Sequence, residues 1–347
     1  MNFYAYRMPG GGEVVTSKSE ELSEGLGVDG FAVCAFDPQN RRLHTIPRGE
    51  EFDLDEMNAL AFERMDADFA SFPCDSTTRR QHADEVEGIS SAIRRDYCGK
   101  GVAARAIVKE IRIDLAGTFR NLCARYPQAF VFCLHSDIGG SWIGATPETL
   151  VSKHGARLES MALAGTRPAG TPGSWDRKNI DEHNFVSLFV VNEFMQLGAT
   201  PSLRQAGTLN AGPVEHLMSL VAYDIPEDIT EPAAADLDVR LLALRLSPTP
   251  AVCGYPREVP LGLIKELETF DRSLYGGFVG PYTVKDNRAE RADFFVNLRS
   301  MRVEPNRVCL YSGGGITAMS DPDREWEETE AKAATLLDCI STLDNNP

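Results

Sequence analysis

The chain has 347 residues, 43% of them hydrophobic, and a formal charge of −16 at pH 7. That length holds one large domain or two ordinary ones with a substantial core, and the charge excludes nucleic acid and anionic membrane surfaces as partners. The eight cysteines form no C-x-x-C pair, so neither a zinc site nor a disulfide framework is expected, and reduced thiols in a cytoplasm are. No stretch approaches the roughly 20 apolar residues of a membrane span. The first fifteen residues carry neither a basic region nor a long apolar run, so no signal peptide is expected.

In chain order, residues 1–90 are the least informative. Residues 30–36, GFAVCAF, read as a buried strand, 50–70 as acidic and helical, and 72–87 as a polar loop or subdomain boundary. The pattern then becomes regular. A short helix is expected over 88–98, a strand at 111–113, a helix over 115–125, strands at 129–134 and 142–143, and a turn over 144–148. Residues 151–158 read as a hairpin around His154-Gly155. Further helices are expected over 179–197, 213–222, 234–244 and 257–268, and strands over 276–284, 292–302 and 306–312. Short turns between strands imply antiparallel pairing. Strands and helices without strict alternation imply an α+β fold, with large antiparallel sheets and helices packed outside.

The stretch with most chemistry is 311–332, YSGGGITAMSDPDREWEETEAK. Gly313, Gly314 and Gly315 let backbone approach a ligand and offer N–H groups to an anion. Ser320 reads as an N-cap, with Asp321 and Pro322 opening a helix. Glu325, Glu328 and Lys332 then share one helix face. Two carboxylates one turn apart suit a hard cation such as Mg²⁺, and the lysine suits an anionic group. A lone E-x-x-E-x-x-x-K is usually a solvated face; the glycine run upstream is what singles this one out.

Other stretches carry functional groups. Lys100 stands five residues before Arg105. Gly144-Ala-Thr-Pro-Glu148 places an acid after a turn. In Leu163-Ala-Gly-Thr-Arg-Pro168, Gly165 permits close backbone approach and Thr166 offers a hydroxyl, while Arg167 reads as structural. Asp181-Glu182-His183 precedes an apolar helix, with His183 read as structural. Leu246-Ser-Pro-Thr-Pro-Ala251 leads to Pro256-Arg-Glu258. Tyr275 lies in Asp271-Arg-Ser-Leu-Tyr-Gly-Gly-Phe-Val-Gly280, and Arg299 in Asn297-Leu-Arg-Ser300 offers a planar fork for a carboxylate.

In this order, over roughly residues 90–340, these elements closely resemble the chorismate-binding enzymes. That family includes isochorismate synthase, salicylate synthase, anthranilate synthase component I and aminodeoxychorismate synthase. The resemblance implies one compact domain, with 1–88 as the N-terminal part and 89–347 as the chorismate-binding catalytic region. It implies Lys100 as the base toward water and Glu148 as the general acid for the leaving C4 hydroxyl. It implies substrate contacts from Ala164, Gly165, Thr166, Tyr275, Arg299, Gly313, Gly314, Gly315 and Lys332. The metal, Mg²⁺, would be held by Glu182, Glu325 and Glu328.

Lys100 argues for water as nucleophile, since the same position resembles glutamine in anthranilate synthase. Ala164 argues against aminodeoxychorismate synthase, which resembles this stretch but carries a nucleophilic lysine there. Two departures stand out: Ser247 replaces a usual histidine thought to help hold the substrate ring, and Asn179 replaces a frequent acid three residues before Glu182. The implied activity is isochorismate synthase, with no obligatory glutaminase subunit and a cytoplasmic location. Salicylate synthase is the alternative, anthranilate synthase component I or a silent chorismate-binding homologue less so. Whether the product feeds menaquinone, a siderophore or salicylate is left open by the sequence, with the menaquinone route fitting a short stand-alone chain.

Overall fold

The computed structural model describes residues 1–39, 42–62, 75–211, 214–226, 237–286 and 288–343. A hairpin of β1 (Asn2–Arg7) and β2 (Val14–Ser19) joins one sheet, while β3 (Ser23–Glu24), β4 (Gly30–Cys34) and β5 (Leu43–Pro47) join the other. Helices α1 (Met57–Phe62) and α2 (Arg79–Arg94) lead into β6 (Lys100–Lys109), α3 (Leu115–Arg125), β7 (Phe130–Ser136), β8 (Gly140–Thr146), β9 (Thr149–His154) and β10 (Arg157–Pro168). Next come α4 (Arg177–Gln196), β11 (Ser202–Ala211), β12 (Val214–Asp224), α5 (Val239–Leu246), β13 (Gly254–Tyr255) and α6 (Glu258–Leu267). The chain ends with β14 (Phe278–Lys285), β15 (Arg288–Val296), β16 (Ser300–Glu304), β17 (Arg307–Ile316) and α7 (Pro322–Leu337).

The strands form two antiparallel sheets. The first runs β13-β6-β17-β16-β8-β7-β1-β2 and the second β11-β12-β10-β9-β15-β14-β4-β5-β3. Their inner faces meet in an aromatic core: Tyr4, Phe132 and Trp142 of the first pack near Phe31, Val279 and Phe295 of the second. Phe130 stacks on Phe295 with ring centroids 3.9 Å apart. Apolar faces of α4 and α5 cover the second sheet, and α1, α2, α3, α6 and the end of α7 cover the first. The α+β expectation with outer helices therefore holds. Each helix buries one stripe and leaves its polar side in solvent.

Several local expectations change. Residues 213–222 are helical in pattern because Val214, Leu217, Met218 and Val221 recur at three and four. Val214–Asp224 form strand β12 instead, paired along its length with β10 on one side and β11 on the other, residue 213 lying outside the described residues. Two flanking ladders outweigh a local helical period. The polar stretch after Ser76 begins a helix rather than a loop: Thr78 and Gln81 make a reciprocal capping box at the start of α2. The helix expected at 88–98 is its second half. Residues 111–113 are no strand, and Ile113 makes only an isolated bridge to Thr342. The helix expected over 50–70 is a 3₁₀ turn at Leu54–Glu56 followed by α1; residues 63–70 lie outside the described residues, as do 72–74 and 234–236. Asp321, not Ser320, caps α7, accepting from the amides of Asp323 and Arg324.

The most consequential change is at 292–302. This single expected strand is two: β15 belongs to the second sheet and β16 to the first. The chain passes between sheets at Asn297–Arg299, where Arg299 takes a left-handed backbone with φ 47°. A second passage, between β8 and β9, is made at Pro147-Glu148. Both bring functional side chains to the seam where the sheets join.

Candidate active site

A cavity opens at that seam. Glu148, Arg299 and Leu298 of the two passages line one part of it, and Ala164, Gly165 and Thr166 of β10 another. Tyr275 and Tyr311 stack on each other at 5.3 Å in the wall, near Gly313, Gly315 and Lys332. Ten of the fourteen expected site residues line the cavity. Lys100, Gly314, Glu325 and Glu328 stand outside its wall.

Glu148 is fully buried, and its Oε1 has no hydrogen-bond partner among the described residues. Burial pushes its carboxyl up to about 8, against the lowering influence of Lys100. It is therefore protonated at neutral pH. Its backbone is fixed on both sides: its N–H donates to Thr146 Oγ1, and its carbonyl accepts from Val296, the last residue of β15.

Arg299 is buried, and burial holds its pKa below the usual arginine value. It donates to Thr335 Oγ1 at 2.8 Å and to His216 Nε2 at 3.3 Å. No carboxylate lies within ion-pair distance of it among the described residues. Because a guanidinium only donates, His216 Nε2 accepts and its Nδ1 carries the proton, facing the Gly165 carbonyl at 3.1 Å. Burial first, and then Arg299 and Lys332, push His216 down to about 3, so the ring is neutral. Burial likewise raises Tyr275 to about 12. The cavity thus presents an uncompensated guanidinium, a neutral imidazole, a phenol and a neutral carboxylic acid.

At one side of the cavity three glutamates meet over two glycines, Glu182 in its wall and Glu325 and Glu328 behind it. Glu182 projects from α4, and Glu325 and Glu328 from α7. A Cβ on Gly315 would overlap Glu182 Oε1, and one on Gly314 would sit 3.2 Å from Glu325 Oε2. The glycines therefore make room for carboxylates; they pair with Val102 and Ala103 in the β6–β17 ladder rather than forming a free loop. Each glutamate has a lysine: Lys100–Glu182 at 2.9 Å, Lys178–Glu325 at 3.0 Å and Lys332–Glu328 at 2.6 Å. Burial raises Glu182 but the ammonium groups, Lys100 foremost, bring it below its ordinary value. Burial raises Glu325 above its own. Among the described residues no three acids, histidines or cysteines gather at metal-binding distance. The donor set nevertheless fits a hard divalent cation: all oxygen, three carboxylates from two rigid helices, and Glu325 Oε2 buried without a hydrogen-bond partner.

His216 and Lys178 were missed from sequence. Reading 213–222 as a helix hid the pairing of Thr166 with His216 and of Arg167 with Glu215, on the strand adjacent to Arg167. Arg167 is structural, bonded to Glu215 and the Gly173 carbonyl and lying over Trp175. His183 is also structural, bonded to Ser219 and Ser187. Ser247 is buried at the end of α5 and does not line the cavity. The imidazole that lines the cavity is that of His216, from β12.

Comparison with known proteins agrees with this architecture. The profile of the chorismate binding enzyme family matches residues 50–341. The chain is 30% identical over 324 residues to the vibriobactin-specific isochorismate synthase of Vibrio cholerae, covering 88% of this chain and 78% of that one. It is 29% identical over 241 residues to isochorismate synthase EntC of Escherichia coli strain K12, covering 67% of this chain and 59% of that one. The structure of MenF, the menaquinone-specific isochorismate synthase of Escherichia coli, superposes with a TM-score of 0.74 over 98% of this chain and 88% of that one, at 21% identity. The chain belongs to the chorismate-binding enzyme family. Among the described residues no helix is long and apolar enough to cross a membrane, and the seven described cysteines are free thiols.

Proposed function

We propose that this protein is an isochorismate synthase, converting chorismate to isochorismate by attack of water at ring C2 and loss of the C4 hydroxyl. The observation that carries the reading is Glu148. It is a buried carboxyl that stays protonated at neutral pH, in the same cavity as an arginine with no acidic partner. A general acid needs that raised value, and a dianionic substrate needs the uncompensated cation.

In this reading Arg299 and Tyr275 hold the enolpyruvyl carboxylate, and Lys332 lies by the ring carboxylate. Ala164, Gly165 and Thr166 form the wall against which the ring rests. Gly313, Gly314 and Gly315 keep that side of the site free of side chains. His216, fixed as the Nδ1–H tautomer, orients Arg299. Lys100 takes the proton from water. That role requires the neutral amine, so its pair with Glu182 must open first. Glu148 delivers its proton to the C4 oxygen as the bond breaks. Glu182, Glu325 and Glu328 would hold Mg²⁺, which when bound anchors and polarises the ring carboxylate. The chain is expected to work without a glutaminase subunit, since water is the nucleophile.

The test is product analysis after incubating the protein with chorismate and Mg²⁺, with and without ammonium. Isochorismate alone is the expected result. Salicylate with pyruvate would assign the related salicylate synthase activity. Anthranilate formed only with ammonium, or no turnover, would overturn the reading. Lys100→Ala should abolish hydration at C2, and full retained activity would remove Lys100 from the base role.

A further inference from the structure

The three glutamates are not an open acidic cup. Glu325 is almost fully buried, yet its charge is met by Lys178, a side chain that is 38% exposed. Lys178 lies one turn before Glu182 on α4, so the same helix supplies both a carboxylate and a cation to the cluster. The neighbouring position removes rather than adds negative charge. Asn179 stands where an acid would give a fourth carboxylate, and it is committed elsewhere: its Nδ2 donates to Asp176 Oδ1 and its Oδ1 accepts from the Thr166 amide. The other two lysines differ from Lys178. Lys100 is buried at 1% exposure, and Lys332 is tied to the Gly313 carbonyl as well as to Glu328. Lys178 has a path to solvent and makes no hydrogen bond to backbone among the described residues.

We propose that Lys178 is the resident cation of the carboxylate cluster and that a divalent cation binds by exchange with it, the lysine swinging out into solvent as the metal takes Glu325. This inference rests on the reading of Glu182, Glu325 and Glu328 as a divalent site. Its consequence is a threshold: the free protein resists metal because a tethered ammonium, at high effective concentration, already neutralises the buried acid. The same tether keeps the cluster from carrying three uncompensated charges when no metal is present.

The experiment is Mn²⁺ binding to the full chain without organic ligand, followed by electron paramagnetic resonance of free Mn²⁺. Lys178→Met should tighten Mn²⁺ by roughly two- to fivefold, the range expected for removing a partly exposed ion pair that competes with the metal. Lys178→Arg keeps the charge and should bind as wild type does, which separates charge from packing if the methionine variant is poorly folded. Equal or weaker Mn²⁺ binding by a folded Lys178→Met variant would overturn the exchange. Glu325→Gln tests the underlying site independently. It should weaken Mn²⁺ in either background, and if it does not, the divalent-site reading fails rather than the role of Lys178.

Discussion

Replacing Glu148 by glutamine removes the cavity's proton donor and, at the same time, a destabilising buried acid. The folded-state value near 8 lies above the ordinary 4.5. Such a group favours folding most below pH 4.5, and that contribution is lost as the pH rises through 8. At pH 7 the unfolded chain ionises this side chain freely while the folded chain keeps it neutral. The difference is about 2.5 pH units, or roughly 3 kcal/mol against folding, and it grows towards about 5 kcal/mol above pH 8. Glutamine has no such dependence. The Glu148→Gln protein should therefore gain on wild type by about 3 kcal/mol between pH 4.5 and 7, while losing turnover by at least a hundredfold. Urea denaturation of both proteins at pH 4.5, 7 and 8.5, with initial rates alongside, measures both effects. Wild-type activity should fall as the pH rises past about 8. A stability difference that does not change with pH would refute the buried-acid argument, and full activity in the glutamine variant would refute the general-acid role.

Other outcomes follow from single contacts. Arg299→Met should raise KM for chorismate by about tenfold to a hundredfold, the cost of a lost charge-assisted pair, while urea melts show a loss of about 1–3 kcal/mol, from leaving the buried His216 Nε2 without its donor. Gly315→Ala places a methyl where Glu182 Oε1 lies; it should abolish Mn²⁺ binding and Mg²⁺-dependent turnover together, and normal metal titration would refute that placement. Asn179→Asp sets a second carboxylate against Asp176 Oδ1, now 2.8 Å from Asn179 Nδ2, and should destabilise the protein by about 1–3 kcal/mol at pH 7, with the loss relieved below about pH 4 as the pair takes up a proton.

What the sequence determined by itself was the inventory of chemical groups and most of the local structure around them. The spacing of Glu325, Glu328 and Lys332 needs only helical geometry to share a face, and α7 provides it. The capping residue shifts by one, to Asp321. The hairpin at His154-Gly155, helix α3 and the apolar face of α4 follow from short-range pattern alone, as does the outer placement of amphipathic helices.

Tertiary structure decided where those groups stand relative to one another. No local signal says that 292–302 must break so that β15 and β16 serve different sheets, yet that break turns Arg299 into the cavity. His216 became visible only when a helix-like period was overridden by ladders to β10 and β11. The glycine run, legible as a backbone approach, proved to be clearance for carboxylates arriving from two distant helices. The pKa of Glu148 was likewise beyond sequence, since a glutamate after Thr-Pro is an ordinary surface acid until two sheets close over it. Residue type and period are properties of a segment; burial, charge compensation and cross-strand register belong to the segments that pack against it.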